Sequence, residues 1–279
     1  MRIVTWNCCR GPVSRKLPLL ASLRPSISII QECPRVRRDD GSLLWFGTNP
    51  RQGIAVTASG EWRVVAGEQR DVPPFTFAVQ IKGPIDFLLL AVWSQRNDDF
   101  RYVRAVIRAV ECYRDLIVSQ PTVIVGDFNS NTIWDYKRPE TQNHSGLVRL
   151  LASLDLVSAY HQFFGEMQGK ESRPTLFLQR NPAKPYHIDY CFIPKAWASQ
   201  LRHVEIGADT VWAKESDHRP LLIDIGLPDQ TGRAETSCSS RGARQIRAQG
   251  KREVACSSNE IETLSDRRSH LMKRIRSSG

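Results

Sequence analysis

Between residues 2 and 226, short apolar runs follow one another, each closed by Gly, Pro, Asn or Asp. Their length and β-branched content predict strands over 2–9, 26–32, 42–48, 53–59, 62–68, 75–81, 86–94, 121–128, 174–179, 187–193, 202–208 and 219–226. DFLLLAVWS and PTVIVGDF are apolar at almost every position, the pattern of strands buried on both faces. Three segments change to helical spacing. Residues 15–24 make a short helix stopped by Pro25, and 144–154 make another. The longest, 99–118, sets Phe100, Val103, Ile107, Val110, Tyr113 and Ile117 along one stripe. Arg101, Arg104 and Arg108 share a different face, open to reading as solvated helix surface or as a phosphate contact. The expected architecture is α/β (α+β), with two mostly antiparallel sheets packed together and helices on their outer faces.

The pattern stops after Gly226. Residues 227–279 are rich in Ser, Arg, Gly and Gln, lack sustained hydrophobic periodicity, and read as a basic disordered tail with one weak helix near Ile261–Ile275. Two regions are therefore expected, a folded domain over 1–226 and the tail. The tail carries 11 Lys/Arg against 6 Asp/Glu, half of the net charge of +10. A basic surface favours polyanions such as nucleic acid or anionic lipid. No run approaches the roughly 18 apolar residues that a membrane span needs. Met1-Arg2 leads straight into a strand without a leader pattern, and the seven cysteines show no CxxC pair. Reduced thiols, a cytoplasmic location and a monomer are expected.

Polar residues close four of the apolar runs: Asn7 in TWN, Glu32 in QE, Asp127 and Asn129 in GDFN, and Asp189 in IDY together with Asp217-His218 in SDH. A charged carboxylate at the end of a hydrophobic strand is costly unless it is paired or bound to metal. Taken singly, each has an ordinary structural reading: a turn for Asn7, a loop cap for Glu32, an Asx-rich turn for GDFNSN. Taken together, in this order, they point to a reactive site.

The ordered set TWN, QE, GDFN, IDY, SDH resembles the endonuclease/exonuclease/phosphatase superfamily over residues 1–226. That resemblance implies a four-layer α/β sandwich and a divalent-metal-dependent phosphoester hydrolase using Mg²⁺ or Mn²⁺. It implies Glu32 as the principal metal ligand, with Asn7 and Asp217 supporting the metal directly or through water. Asp127 would orient or deprotonate the attacking water, Asn129 would hold a phosphate oxygen, and His218 would donate to the phosphate with Asp189 on its other nitrogen. A nuclease, cutting DNA or RNA as an endonuclease or exonuclease, is the favoured expectation. A phosphatase or phosphodiesterase on a small or lipid phosphoester is the alternative, and a catalytically inactive binding module the remaining one.

Four further residues are weaker substrate-binding candidates. By the same resemblance, Trp93 stands where many relatives carry Tyr or His; it either donates to phosphate, stacks on a base, or packs. His187, two residues before Asp189, is expected to share its strand face. Trp134, in the loop after GDFN, stacks on a base or anchors the loop, and Arg10 either approaches phosphate or is plain surface.

Overall fold

The computed structural model describes residues 1–38, 40–73, 75–95 and 102–226. Phe100, Arg101 and the whole of 227–279, with its expected helix, lie outside the described residues. The chain first lays down β1 (Arg2–Asn7), α1 (Val13–Ala21), β2 (Ile27–Cys33), β3 (Leu43–Asn49), β4 (Gln52–Ala58), β5 (Arg63–Ala66), β6 (Thr76–Lys82) and β7 (Phe87–Trp93). There follow α2 (Val103–Cys112), α3 (Arg114–Ser119), β8 (Thr122–Asp127), α4 (His144–Ala152), β9 (Leu156–Ser158) and α5 (Ala159–Phe164). The last are β10 (Leu176–Phe177), β11 (Pro185–Tyr186), β12 (Asp189–Pro194), β13 (Leu201–Ile206), α6 (Asp209–Trp212) and β14 (Leu221–Ile225).

Two six-stranded sheets result, in the orders β13-β14-β1-β2-β4-β3 and β5-β6-β7-β8-β12-β9. Each is antiparallel but for one parallel pair, β1 with β2 and β7 with β8. A parallel neighbour needs a crossover, and those crossovers are the helices: α1 over the first sheet, α2 and α3 over the second.

Side-chain alternation then sorts the apolar residues into three layers. Ile3, Ile27, Ile29 and Val56 of the first sheet meet Val79, Leu89, Val123, Val125 and Ile193 of the second between the sheets. Leu88, Leu90, Ile124 and Phe192 on the outer face of the second sheet pack against Val106, Val110, Ile117 and Leu147 of the helices. Val4, Trp6, Ile30 and Leu222 on the other outer face meet Leu20 and Trp212. The result is the expected sandwich of helix, sheet, sheet, helix. Strands such as FLLLAVW, buried at every position, are apolar throughout because both of their faces are covered.

The boundaries differ in instructive places. The segment expected as one helix to residue 118 is two, broken at Tyr113 (φ −95°, ψ 6°), whose buried hydroxyl accepts the Arg70 N–H at 3.0 Å. Arg104 and Arg108 are exposed, and Arg108 faces Glu111 at 3.8 Å. The run at 174–179 pairs only over Leu176–Phe177 before turning into a 3₁₀ helix, and the strand expected from 187 begins at Asp189. Among the described residues no helix is long and apolar enough to cross a membrane.

Candidate active site

The inner faces of four strands run out at one end of the sandwich, and the polar motif residues stand there. Along β1 the inward positions are Ile3, Thr5 and Asn7; along β8 they are Val123, Val125 and Asp127. On antiparallel β12 they begin with Asp189, which lies directly across from Asp127. On β7 they end with Trp93, the other neighbour of Asp127. Gly126 holds φ 145°, and a Cβ there would sit 1.9 Å from the Val92 carbonyl oxygen, so only glycine fits before Asp127. Glu32 arrives by a different route. Counting in twos from Ile27 and Ile29 would put Gln31 inward and Glu32 outward. A register shift between Ile30 and Cys33, with Glu32 in the left-handed region at φ 53°, turns its carboxylate back toward Asn7.

Asn7 is the hinge of the constellation. Its Nδ2 donates to Asp127 Oδ2 at 3.0 Å and to Glu32 Oε1 at 3.3 Å, while its Oδ1 accepts the Cys9 N–H at 2.9 Å. Asn129, also left-handed at φ 47°, donates its backbone N–H to Asp127 Oδ1 at 2.9 Å. Its Nδ2 donates to Asp127 Oδ2 at 3.1 Å and to the Ser94 carbonyl at 2.9 Å. His218 presents Nδ1 to Asp189 Oδ2 at 2.9 Å and Nε2 toward Asp127 Oδ2 at 4.0 Å. Two residues outside the expected set fix this geometry. Ser216 Oγ donates to the Asn7 carbonyl at 2.7 Å and accepts the His218 N–H at 2.9 Å. Thr175 Oγ1 accepts the N–H groups of Ile188 and Asp189 at 3.0 and 3.1 Å. Ser216 is the serine of SDH itself, whereas nothing in the sequence marks Thr175.

The electrostatics are those of crowded carboxylates. Burial, then the charge of Asp189, pushes the Asp127 carboxyl up against the pull of His218 and the donors on Asn7 and Asn129. For His218 burial opposes the charge, but Asp189, then Asp127 and Asp217, outweigh it and raise the imidazole to about 10. The Cys9 thiol is pushed up by burial and by the charges of Asp217 and Glu32, which places both carboxylates beside it. Among the described residues, the cations paired with Glu32, Asp127 and Asp189 are His218 and the exposed Arg10, whose Nε lies 3.3 Å from Glu32 Oε2. Among the described residues nothing hydrogen-bonds the buried Asp189 Oδ1. An oxygen-rich cluster short of positive charge, with an orphaned carboxylate oxygen, fits a hard divalent cation. Among the described residues one group of three potential ligands has its atoms within 4.8 Å of one another: Asp127, Asp189 and His218.

The weaker candidates scatter. Trp93 is 3% exposed and packs edge-on against Phe75, 4.8 Å between ring centroids. His187 is buried, gives Nδ1 to the Arg173 carbonyl at 2.8 Å, and lies on Tyr160 and Tyr190 at 4.3 and 5.0 Å. Trp134, 39% exposed, leans on Tyr186 at 5.2 Å. These two rings line a cavity of about 480 Å³ with Leu176, Leu178, Ile188 and Arg138, and Asn129 forms the wall it shares with the site. Tyr186 and the two leucines lie far from Trp134 in sequence, so nothing there announced the cavity.

With this geometry in hand, solved structures supply a comparison. The chain matches a 3′ phosphatase, NExo, from Neisseria bound to a product DNA hairpin, with TM-score 0.59 and 19% identity over 81% of this chain and 100% of that one. It matches an AP endonuclease from Archaeoglobus fulgidus with TM-score 0.59 and 16% identity, over 81% and 100%. The endonuclease domain of a telomere-specific non-LTR retrotransposon matches with TM-score 0.56 and 17% identity, over 81% and 98%. The chain has the endonuclease/exonuclease/phosphatase fold. At these identities the likeness establishes the fold alone. At one end of the paired sheets, β1, β2, β8 and β12 bring Asn7, Glu32, Asp127 and Asp189 together. No family model matches the sequence, and no curated protein matches it.

Proposed function

We propose that this chain is a divalent-metal-dependent phosphodiester hydrolase acting on nucleic acid. The observation that carries the reading is the convergence of Asp127, Asn129, Asp189 and His218 with Asn7 and Glu32 at one end of the inter-sheet core. Hydrolysis of a phosphodiester requires charge neutralisation on the non-bridging oxygens, an in-line water and a stabilised leaving oxygen. Glu32, with Asn7 and Asp217 beside it, would hold Mg²⁺ or Mn²⁺. Bound there, the cation supplies Lewis-acid neutralisation of phosphate charge. The imidazolium of His218 already carries its Nδ1 proton to Asp189, so its Nε2 is a donor to a phosphoryl oxygen rather than a metal ligand. Asp127 accepts three donations from Asn7 and Asn129 and keeps one acceptor site for a water proton. Its raised proton affinity suits a base working near neutral pH. Asn129, next to both Asp127 and the cavity, is placed to hold a phosphate oxygen.

The cavity supports a nucleotide substrate. About 480 Å³ behind two aromatic rings accommodates one sugar or base beside the scissile phosphate, with Arg138 on the wall. Trp134→Ala is accordingly expected to raise KM several-fold with kcat little changed, read from single-stranded oligonucleotide cleavage. An unchanged KM would leave Trp134 as a loop anchor.

The class itself is tested on the full chain with supercoiled plasmid, single-stranded DNA, RNA and a small phosphate monoester, in Mg²⁺, Mn²⁺ or EDTA. Metal-dependent cleavage, lost in EDTA and lowered about a hundredfold or more in Glu32→Gln, is the expected result. Turnover of the monoester alone would move the assignment to a phosphatase. Metal binding without turnover of any substrate would leave a binding module.

A further inference from the structure

A second buried polar cluster lies behind the reactive one, and Glu171 is its centre. The Glu171 side chain is 4% exposed, which is costly for a carboxylate unless donors surround it. Three do. His161 Nε2 lies 3.1 Å from Oε1, the Gly169 N–H donates to Oε1 at 2.9 Å, and Asn131 Nδ2 donates to Oε2 at 3.1 Å. Against the burial, the contacts from His161 and the Gly169 N–H hold the carboxyl down at about 2. Glu171 makes its hydrogen bonds to His161, Gly169 and Asn131, and none of them is to Asp127, Asn129, Asp189 or His218. Its reach into the site runs through Asn131.

Asn131 is 2% exposed and belongs to the same GDFNSN turn as Asn129. Its Oδ1 accepts the Ile133 N–H at 3.1 Å, starting the 3₁₀ turn Thr132–Lys137 that carries Trp134. Its Nδ2, besides meeting Glu171, donates to the His187 carbonyl at 2.9 Å and lies 3.0 Å from the Tyr190 hydroxyl. That hydroxyl donates in turn to the His187 carbonyl at 2.9 Å and is 3.3 Å from the Ser130 carbonyl. Asn131 therefore clasps the loop after β8 to the entrance of β12, two residues beyond Asn129 on one side and two residues before Asp189 on the other. Asn129 sits in the left-handed region, and such a backbone persists only where its surroundings over-determine it. Glu171 fixes the amide that does so, and His161 fixes Glu171, with its own Nδ1 on Ser158 Oγ at 2.8 Å.

We propose that Glu171, backed by His161, is a positioning residue of the phosphoester site: through Asn131 it sets the placement of Asn129 relative to Asp189. The inference rests on the functional reading above. Misplacement of reacting groups by fractions of an ångström costs rate rather than ground-state affinity, up to about a hundredfold per ångström. A residue that merely stabilised the loop would instead lower the melting temperature and the active fraction together.

The test uses the full chain with Glu171→Ala and Glu171→Gln, assayed well below both melting temperatures on whichever substrate the wild type cleaves. Glu171→Ala is expected to lower kcat about tenfold or more with KM changed less than about twofold, and Glu171→Gln to recover most of that loss. The side-chain amide resonances of Asn129 in ¹⁵N-labelled protein are expected to move in Glu171→Ala, while signals from the opposite end of the sheets stay in place. A kcat within twofold of wild type, or a loss that only tracks the unfolded fraction, would overturn the inference. If the wild type cleaves nothing, the functional reading fails separately, and unmoved Asn129 amide signals then overturn the positioning role on their own.

Discussion

Replacing Asp127 with asparagine is expected to lower kcat by about a thousandfold or more, within the range of about 10²–10⁴ that a positioned general base contributes. The side chain is completely buried, and its donors already occupy three of its acceptor sites. The amide keeps the shape but has no lone pair basic enough to take a proton from water. The same burial makes a second outcome follow in the metal-free protein. Asp127 titrates higher in the folded state than in the unfolded chain, so its contribution to stability is complete below the unfolded value near 4 and is lost as pH rises through the folded one. Asparagine carries no charge at any pH. The melting temperature of Asp127→Asn relative to wild type is therefore expected to climb as pH rises from 4 toward 8. A variant with kcat within tenfold of wild type would remove Asp127 from the role of base. A melting-temperature difference that is flat with pH would remove the burial argument instead.

The sequence exposed the parts of this site that obey alternation. Asp127 and Asp189 each extend a run of inward apolar residues by one more step of two, and Asn7 follows Ile3 and Thr5 in the same alternation, so strand pattern and chemistry agreed. Glu32 does not obey it: by counting it belongs on the outer face, and only a register shift and a positive φ bring it to Asn7. Its assignment came from resemblance, because a backbone irregularity of one residue leaves no mark on hydrophobic periodicity. His187 shows the reverse error of counting. Two residues before Asp189 means the same face only where the chain is already a strand, and here pairing begins at Asp189. The His187 ring turns instead into the cluster of Tyr160, Tyr190 and His161. Trp93 followed the alternation faithfully and reached the row of Asp127, yet its bulk finds Phe75 and fills the edge of the inter-sheet core. The cavity and the Asn131–Glu171 clasp were illegible for a different reason. Each joins residues forty or so apart through loops, where no period constrains which side chains meet.

Removal of His218 is expected to cost about 10²–10³ in kcat, the usual loss for one preorganised donor to a transition-state oxygen. The pH dependence separates this role from simple packing. With its pKa raised to about 10, the imidazole stays protonated through neutrality and remains a donor where an ordinary histidine, near 6.5, has become neutral. Asp189 supplies the largest part of that elevation, by charge and by the 2.9 Å contact to Nδ1. Asp189→Asn removes the two largest raising contributions and leaves burial, which lowers a histidine, opposed only by the charges of Asp127 and Asp217. The alkaline limb of kcat/KM, which in wild type is expected well above pH 7, should move to lower pH in Asp189→Asn, so the two enzymes differ little at pH 6 and most at pH 8 to 9. Asp127 complicates only the acid limb, since it must be deprotonated to act as base. Coincident alkaline limbs for wild type and Asp189→Asn would show that the Asp189 carboxylate does not govern the His218 proton, and His218 would then contribute shape to the site rather than charge.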